Sequence, residues 1–184
     1  TFKEGGTNFT NSLMVGDDAT GTLDNAQKNT ALGIDVFAAL TTGDNNVAVG
    51  FEALKANTTG SGNTSLGGSS LVANTTGASN VAVGTDTMGS NTEGATNTAV
   101  GLSALYANTT GSNNIAIGHD SLRFNTTASG NTAVGKKALY STTTSGNNTA
   151  VGFQAGDAIT TGDQGTYIGQ DAGGSGTTGS NTAV

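Results

Sequence analysis

Apolar and polar residues alternate in a short word that returns every 17 residues along the chain. The word has the form Asn-x-Ala-Val-Gly, as at 97–101 and 131–135, and its alternation is typical of a β-strand with two different faces. The intervening residues are rich in Gly, Thr, Asn and Ser, which disfavours helix. A short fixed period is the signature of a solenoid. The sequence therefore predicts an all-β fold, a parallel β-solenoid of 17-residue coils.

A glycine ends each word with no slip in register. We expect a residue with positive φ there, or a corner without room for a Cβ atom. The column comprises Gly16, Gly33, Gly50, Gly67, Gly84, Gly101, Gly118, Gly135, Gly152 and Gly169. A second glycine column closes the turn word Asn-Thr-Thr-Gly and comprises Gly43, Gly60, Gly77, Gly94, Gly111, Gly162 and Gly179.

Two apolar columns are candidates for the core. The residues just before the glycine are expected to form an inward stack, and they are Val49, Leu66, Val83, Val100, Ile117, Val134, Val151 and Ile168. Four residues after the glycine lies a second column of Leu54, Leu71, Met88, Leu105, Leu122 and Leu139. Gly156 and Gly173 replace this leucine later in the chain. We therefore expect the last coils to pack differently.

An asparagine opens the repeat. Stacked coils would bring equivalent asparagines about 4.8 Å apart, so their amides could form a ladder of hydrogen bonds. The column comprises Asn29, Asn46, Asn63, Asn80, Asn97, Asn114, Asn131, Asn148 and Asn181. Four other asparagines, Asn57, Asn74, Asn108 and Asn125, lie in N-x-T sequons, for which turn chemistry and N-glycosylation are the two interpretations.

Each coil offers only about two sizeable apolar side chains to a core. Fixing the backbone costs on the order of 1–2 kcal/mol per residue, so burial against other chains is expected. Ile34, Phe51, Leu102 and Phe153 follow the glycine at outward-looking positions, and Tyr106 and Tyr140 share another column. We therefore predict a symmetric oligomer, with Tyr106 and Tyr140 as surface contacts or as packing between chains.

Composition and charge argue against nucleic-acid binding and membrane insertion. The chain has 184 residues, 30 of them glycine, with no proline, cysteine or tryptophan, and its net charge is −7. The few Lys and Arg residues are scattered, so nucleic-acid binding is not expected, and no apolar run is long enough for membrane insertion. We divide the chain into a non-repetitive lead-in, 1–11, and a repeat array, 12–184, which stops within a word and is expected to continue beyond it.

The repeat N-T-A-V-G-x-x-A-L resembles the head repeats of trimeric autotransporter adhesins, and more closely the N-T-A-x-G-x-x-A-L arrays in tail fibres of bacterial viruses. The resemblance covers roughly residues 12–184. It implies parallel β-rolls or β-helices of three chains that serve as stalks or receptor-binding heads outside the cell or virion. The expected function is that of a structural or adhesive fibre segment, and the expected partner is a host-surface glycan or receptor.

Candidate chemistry is sparse. His119 is the single histidine, and without other His or Cys residues no zinc site, catalytic residue or cofactor site is predicted. Carboxylates recur two residues after the glycine, where bonding to turn amides and Ca²⁺ binding are the alternatives. They are Asp18, Asp35, Glu52, Asp86, Asp120 and Asp171. A column of threonines makes ice binding, beside carbohydrate binding, the alternative function; it is Thr41, Thr58, Thr75, Thr92, Thr109, Thr126, Thr143, Thr160 and Thr177.

Overall fold

A computed structural model describes residues 2–4, 9–16, 24–173 and 182–183, and short strands are the regular elements of those ranges. The strands are β1 (Phe2–Glu4), β2 (Phe9–Thr10), β3 (Leu13–Gly16), β4 (Ala26–Gln27), β5 (Thr30–Gly33), β6 (Val47–Val49), β7 (Thr64–Leu66), β8 (Val81–Val83), β9 (Thr98–Val100), β10 (Ile115–Ile117), β11 (Thr132–Val134), β12 (Thr149–Val151), β13 (Thr166–Ile168) and β14 (Thr182–Ala183). Asp18, Thr177, Gly179 and Asn181, which the sequence placed in repeat columns, lie outside these ranges.

One strand from each coil enters a single sheet. The sheet has 12 strands in the order β1-β3-β5 and then β6 to β14 in sequence. From β3 onward the neighbours are parallel, and up to β13 they pair at the 17-residue repeat interval, so Ala116 lies between Ala99 and Ala133. The last pair is offset by 16 residues, with Thr166 beside Thr182. β1 pairs with β3 antiparallel, and β2 pairs with β4 outside this sheet. The predicted all-β parallel solenoid is confirmed.

The middle residue of each strand faces the interior. Ala99 is fully buried, and so is Leu105, which follows in the same coil. This confirms the leucine column as core. The expected inward stack before the glycine is wrong, because Val100 is only half-buried and Leu66 is 48% exposed. An interior already filled by a leucine leaves room for alanine on the strand, so the larger β-branched neighbours point outward.

Two structural features require glycine at the strand end. Across the column φ lies between +119° and +148°, a range that side-chain-bearing residues rarely adopt. A Cβ atom on Gly101 would also lie 2.7 Å from the carbonyl oxygen of Gly118 in the next coil. The predicted corner without room for Cβ is therefore confirmed. Three other residues of the same coil, Ser103, Leu105 and Asn113, have φ of 53°, 54° and 60° although they carry side chains.

The predicted asparagine ladder is confirmed. Asn97 accepts from the backbone N–H of Asn114 at 3.0 Å and from its side-chain amide at 3.1 Å. The amide of Asn97 donates in turn to the carbonyl of Gly111 at 2.9 Å. Asn131 occupies the same ladder and accepts from Asn148. These bonds satisfy polar side chains that are fully buried, which would otherwise be costly.

A second ladder lies seven residues after the glycine, at Asn57, Asn74, Asn91, Asn108 and Asn125. Each of these amides also donates to the carbonyl three residues on, as Asn108 does to Gly111 at 2.9 Å. The second glycine column makes room for it, since a Cβ atom on Gly94 would lie 2.4 Å from Asn91 Oδ1. The four sequon asparagines are thus buried and bonded, and the fold uses them as core residues.

The last fully described coil packs differently, as predicted. Tyr167 replaces the inward alanine of β13 and is fully buried. Its ring occupies the space that the leucine column vacates, because Cβ atoms on Gly156 and Gly173 would lie 3.1 Å and 2.3 Å from ring carbons. In this coil the large buried side chain comes from the strand, whereas in the earlier coils it comes from the leucine column.

Candidate functional site

Three consecutive coils, those that begin with Gly101, Gly118 and Gly135, carry large side chains at one repeat position. Five residues after the glycine these coils carry Tyr106, Arg123 and Tyr140. Because equivalent residues of stacked coils lie about 4.8 Å apart, the three side chains form one row. Phe124 and Lys137 adjoin this row. We call these five residues the aromatic–cationic patch.

Contacts within the patch are of two kinds. The guanidinium carbon of Arg123 lies 5.5 Å from the ring centroid of Tyr106 and 5.8 Å from that of Phe124. Phe124 and Tyr140 meet edge to face, with centroids 5.0 Å apart and ring planes at 78°. The ammonium of Lys137 lies 5.2 Å from the ring of Tyr140. Each cation of the patch therefore lies beside at least one ring, and two of the rings contact each other; both kinds of contact are electrostatically favourable.

The coil below makes room for the first ring. Gly89 precedes Tyr106 in the same column, and a Cβ atom there would lie 2.9 Å from Tyr106 Cε2. The tyrosine ring therefore lies over the preceding coil. It remains 38% exposed, whereas Tyr140 is half-buried.

Asp120 orients the central arginine. Its carboxylate, whose side chain is 10% exposed, forms a short ion pair with Arg123 and contacts His119 Nε2 at 3.2 Å. The hydrogen bond that Arg123 donates to Asp120 is the main cause that raises the pKa of Arg123 above its ordinary value, while burial opposes it. Arg123 is therefore a fixed positive charge held between aromatic rings.

The sequence identified Tyr106 and Tyr140 as surface contacts, and the structure brings them into one patch through Arg123. Sequence reasoning missed Arg123, Phe124 and Lys137 as members. The available signal was the column itself, because Arg123 lies one repeat after Tyr106 and one repeat before Tyr140. From spacing alone, a column that mixes tyrosine with arginine is typical of ordinary surface variation. The contacts between the rings and the cation distinguish this column.

A second surface lies on the outside of the sheet. We call it the outer sheet face: the first and third residues of β3 and of β5 to β13. All of these residues are Val, Leu, Ile or Thr, and each is exposed or half-buried. Ile34, Phe51, Leu102 and Phe153 border it, and each is exposed, as expected. The face is an uncharged, largely apolar strip along the rod.

Three carboxylates of the acidic column, Asp35, Glu52 and Asp120, pair with cations. Lys55 contacts Glu52 at 2.7 Å and Asp35, in the preceding coil, at 3.3 Å. These two partners, Glu52 first, raise the pKa of Lys55. No group of three or more His, Cys, Asp or Glu residues converges on a metal-binding arrangement within the described ranges.

The threonine column is tied into the coil stack. Thr58 Oγ1 donates to the carbonyl of Thr75 at 3.1 Å, and Thr109 Oγ1 donates to Thr126 in the same way. The hydroxyl hydrogens of these threonines are thus engaged by the backbone of the next coil.

Comparison of the chain with protein-family models, curated proteins and solved structures finds no match. Among the described residues there is no helix with the length and apolar character that a bilayer crossing needs. The fold defines the chain as a parallel β-solenoid repeat protein.

Proposed function

We propose that the chain is a structural or adhesive segment of an extracellular or virion fibre, either a tail fibre or a surface-adhesin stalk or head, assembled as a homotrimer. Its role is to project or present a surface-binding tip. The outer sheet face is the observation that carries this proposal, because a rod with an apolar strip along its length is suited to lie beside further copies of itself.

The size of that strip supports association. Ten parallel strands at about 4.8 Å span roughly 43 Å, and three residues across add roughly 10 Å. Monomeric proteins rarely expose contiguous apolar patches of more than a few hundred Å². Soluble sheets normally interrupt such surfaces with charged residues, and the outer sheet face has none. Covering it would contribute about 25 cal/mol per Å² of apolar area.

The stack of coils supports a mechanical role. Each coil bonds to its neighbours through the sheet, and two asparagine ladders add bonds along much of the stack, so the structure extends in one direction. Within the aromatic–cationic patch, Arg123 is paired with the neighbouring Asp120 and Lys137 lies over the ring of Tyr140, which favours binding over catalysis. We therefore propose no enzymatic activity.

Sedimentation velocity tests the homotrimer. The wild-type chain should sediment as a species of three chains, each of 17.9 kDa. Leu66→Glu and Ile117→Glu place charges on the outer sheet face and should shift the chain to monomer. Thr59→Glu and Thr110→Glu, at exposed positions away from that face, are the matched controls and should leave the trimer unchanged. A wild-type chain that stays monomeric at every concentration would contradict the proposal.

Immunogold electron microscopy tests the location. An antibody raised against the folded chain should label fibres that project from intact source cells or virions. Labelling confined to the interior of sectioned cells would contradict an extracellular or virion fibre.

The threonine column does not favour the ice-binding alternative, because its hydroxyl hydrogens are bonded within the rod. Carbohydrate binding has a specific basis in the aromatic–cationic patch.

A further inference from the structure

The aromatic–cationic patch is not required by the solenoid. The coil positions of Tyr106, Arg123 and Tyr140 are occupied elsewhere by residues as small as Ala38 and Gly89, with the strand register unchanged. Large rings in partly exposed positions therefore contribute little to the stack. Such residues on a regular scaffold are characteristic of binding surfaces.

The patch has the opposite charge to the rest of the rod. Between residues 101 and 151 the only carboxylate is Asp120, whereas Arg123, Lys136 and Lys137 are half of the 6 Lys and Arg residues of a chain with net charge −7. Asp120 is already paired with Arg123. The remaining positive charge favours an anionic ligand and would draw it to this site.

The geometry suits a sugar chain. Tyr106 and Tyr140 lie two coils apart, roughly 10 Å along the rod, which is comparable to two pyranose units. Aromatic rings stack on the apolar C–H face of a pyranose, and a guanidinium has five N–H donors for carboxylate and hydroxyl oxygens. Arg123, oriented by Asp120 between the rings, presents those donors at the centre of the row.

We propose that the aromatic–cationic patch binds an acidic polysaccharide, with uronic-acid units stacked on Tyr106 and Tyr140 and a carboxylate held by Arg123 and Lys137. This deepens the proposed function by naming the ligand class, and it rests on that function only for the surroundings in which the patch meets a glycan. The binding itself does not require a trimer.

Isothermal titration with hexagalacturonate tests the proposal. The wild-type chain should bind it, whereas a neutral galactose hexasaccharide should bind at least about tenfold more weakly, since charge-assisted bonds are lost. Tyr106→Ala and Arg123→Gln should each weaken binding at least about tenfold. Phe153→Ala and Lys55→Gln remove an exposed ring and a cation outside the patch, and should leave binding unchanged.

Absence of hexagalacturonate binding by the wild-type chain overturns the proposal, and this result does not depend on how any variant folds. Equal affinity for a polyglutamate oligomer overturns it too, because the patch would then be a site for any polyanion. Sedimentation of the wild-type chain and of Tyr140→Ala gives a third outcome. If Tyr140→Ala dissociates the oligomer, the rings are contacts between chains and the proposal fails; a wild-type monomer that binds the hexasaccharide overturns only the homotrimer.

Discussion

The absence of a Cβ atom on the glycine at the strand end allows neighbouring coils to approach closely. At the end of each strand the chain turns through a glycine whose backbone almost touches that of the next glycine in the column. The same turn then places a serine, aspartate or lysine and, two residues on, a leucine in the left-handed region. Each such residue costs roughly 1–2 kcal/mol. The stack must offset this strain with inter-coil hydrogen bonds and the buried leucine.

Gly101→Ala tests this arrangement. The new Cβ atom would lie 2.7 Å from the backbone of Gly118, at a φ of +131°, so we expect a loss of at least about 3 kcal/mol in unfolding free energy. Gly68→Ala is the control, because the nearest atom to its Cβ is Phe51 O at 4.0 Å and it lies outside the positive-φ positions. Urea denaturation followed by circular dichroism measures both. Equal stability of the two variants would show that the column is replaceable.

Ionisation of Tyr167 should lower the stability of the rod at alkaline pH. Burial raises its pKa above the ordinary value of 10.0, because the ionised phenolate would be poorly solvated. A raised folded-state pKa leaves the contribution to stability intact below pH 10 and removes it as the pH rises through the folded value. Tyr167→Phe should therefore unfold at higher pH than wild type in an alkaline titration. Identical midpoints for the two chains would contradict this prediction.

At the scale of the element, the second asparagine ladder has a defined end. Leu40 precedes its first member, and Thr142 and Ile159 follow its last in the same column. Thr142 donates to the carbonyl of Ile159 at 3.0 Å, so it offers no hydrogen to the ladder below. Asn125 Oδ1 is left buried without a hydrogen-bond partner. Buried polar atoms in that state destabilise by about 1–3 kcal/mol.

Extending the ladder by one coil should move its unsatisfied end without stabilising the chain. Thr142→Asn combined with Ser145→Gly restores the repeat word and supplies an amide donor to Asn125, but the Oδ1 atom of the new amide would lie beside Ile159, which has no side-chain donor. The hydrogen bond from Thr142 to the carbonyl of Ile159 is lost as well. We therefore expect the double variant to be no more stable than Ser145→Gly alone, measured by urea denaturation. A gain of about 1 kcal/mol over this control would contradict the assignment of an unsatisfied oxygen to the end of the ladder.

At the scale of the whole molecule, repeat columns made much of the fold predictable. The glycine corner, the leucine core and the first asparagine ladder each depend on one residue type at a fixed interval, so the period alone identified them. The inward side of the strand was not predictable in this way. Alternation defines two faces equally well, and only the volume left beside Leu105 selects Ala99 over Val100 for the interior.

The candidate site was predictable only in part. Tyr106 and Tyr140 stand out as rings in a chain poor in aromatic residues. The role of Arg123 depends on two contacts: its guanidinium lies over the ring of Tyr106, and Asp120 holds it there. The spacing of residues along the chain does not predict the side-chain directions that make these contacts. The pairing of Lys55 with carboxylates of two coils could not be predicted from the sequence for the same reason.

Removal of one whole coil should leave the rest of the rod intact. Residues 63–79 offer the same asparagine bonds above and below as their neighbours, so their deletion should preserve the β-sheet circular-dichroism spectrum and cooperative melting. Deletion of 63–78 shifts every later residue by one position and should unfold the chain beyond it. A folded chain after the second deletion would contradict a register fixed by the repeat.

The buried amides have a further consequence for the temperature dependence of stability. Unfolding exposes asparagine and backbone amides together with alanine and leucine, and polar surface lowers the heat-capacity change that apolar surface raises. We therefore expect calorimetry to give a heat-capacity change per residue below the usual value of about 12–15 cal/mol/K. A small value flattens the curve of free energy against temperature. Such a rod would lose little stability between cold and warm surroundings, a property suited to the extracellular or virion fibre that we propose.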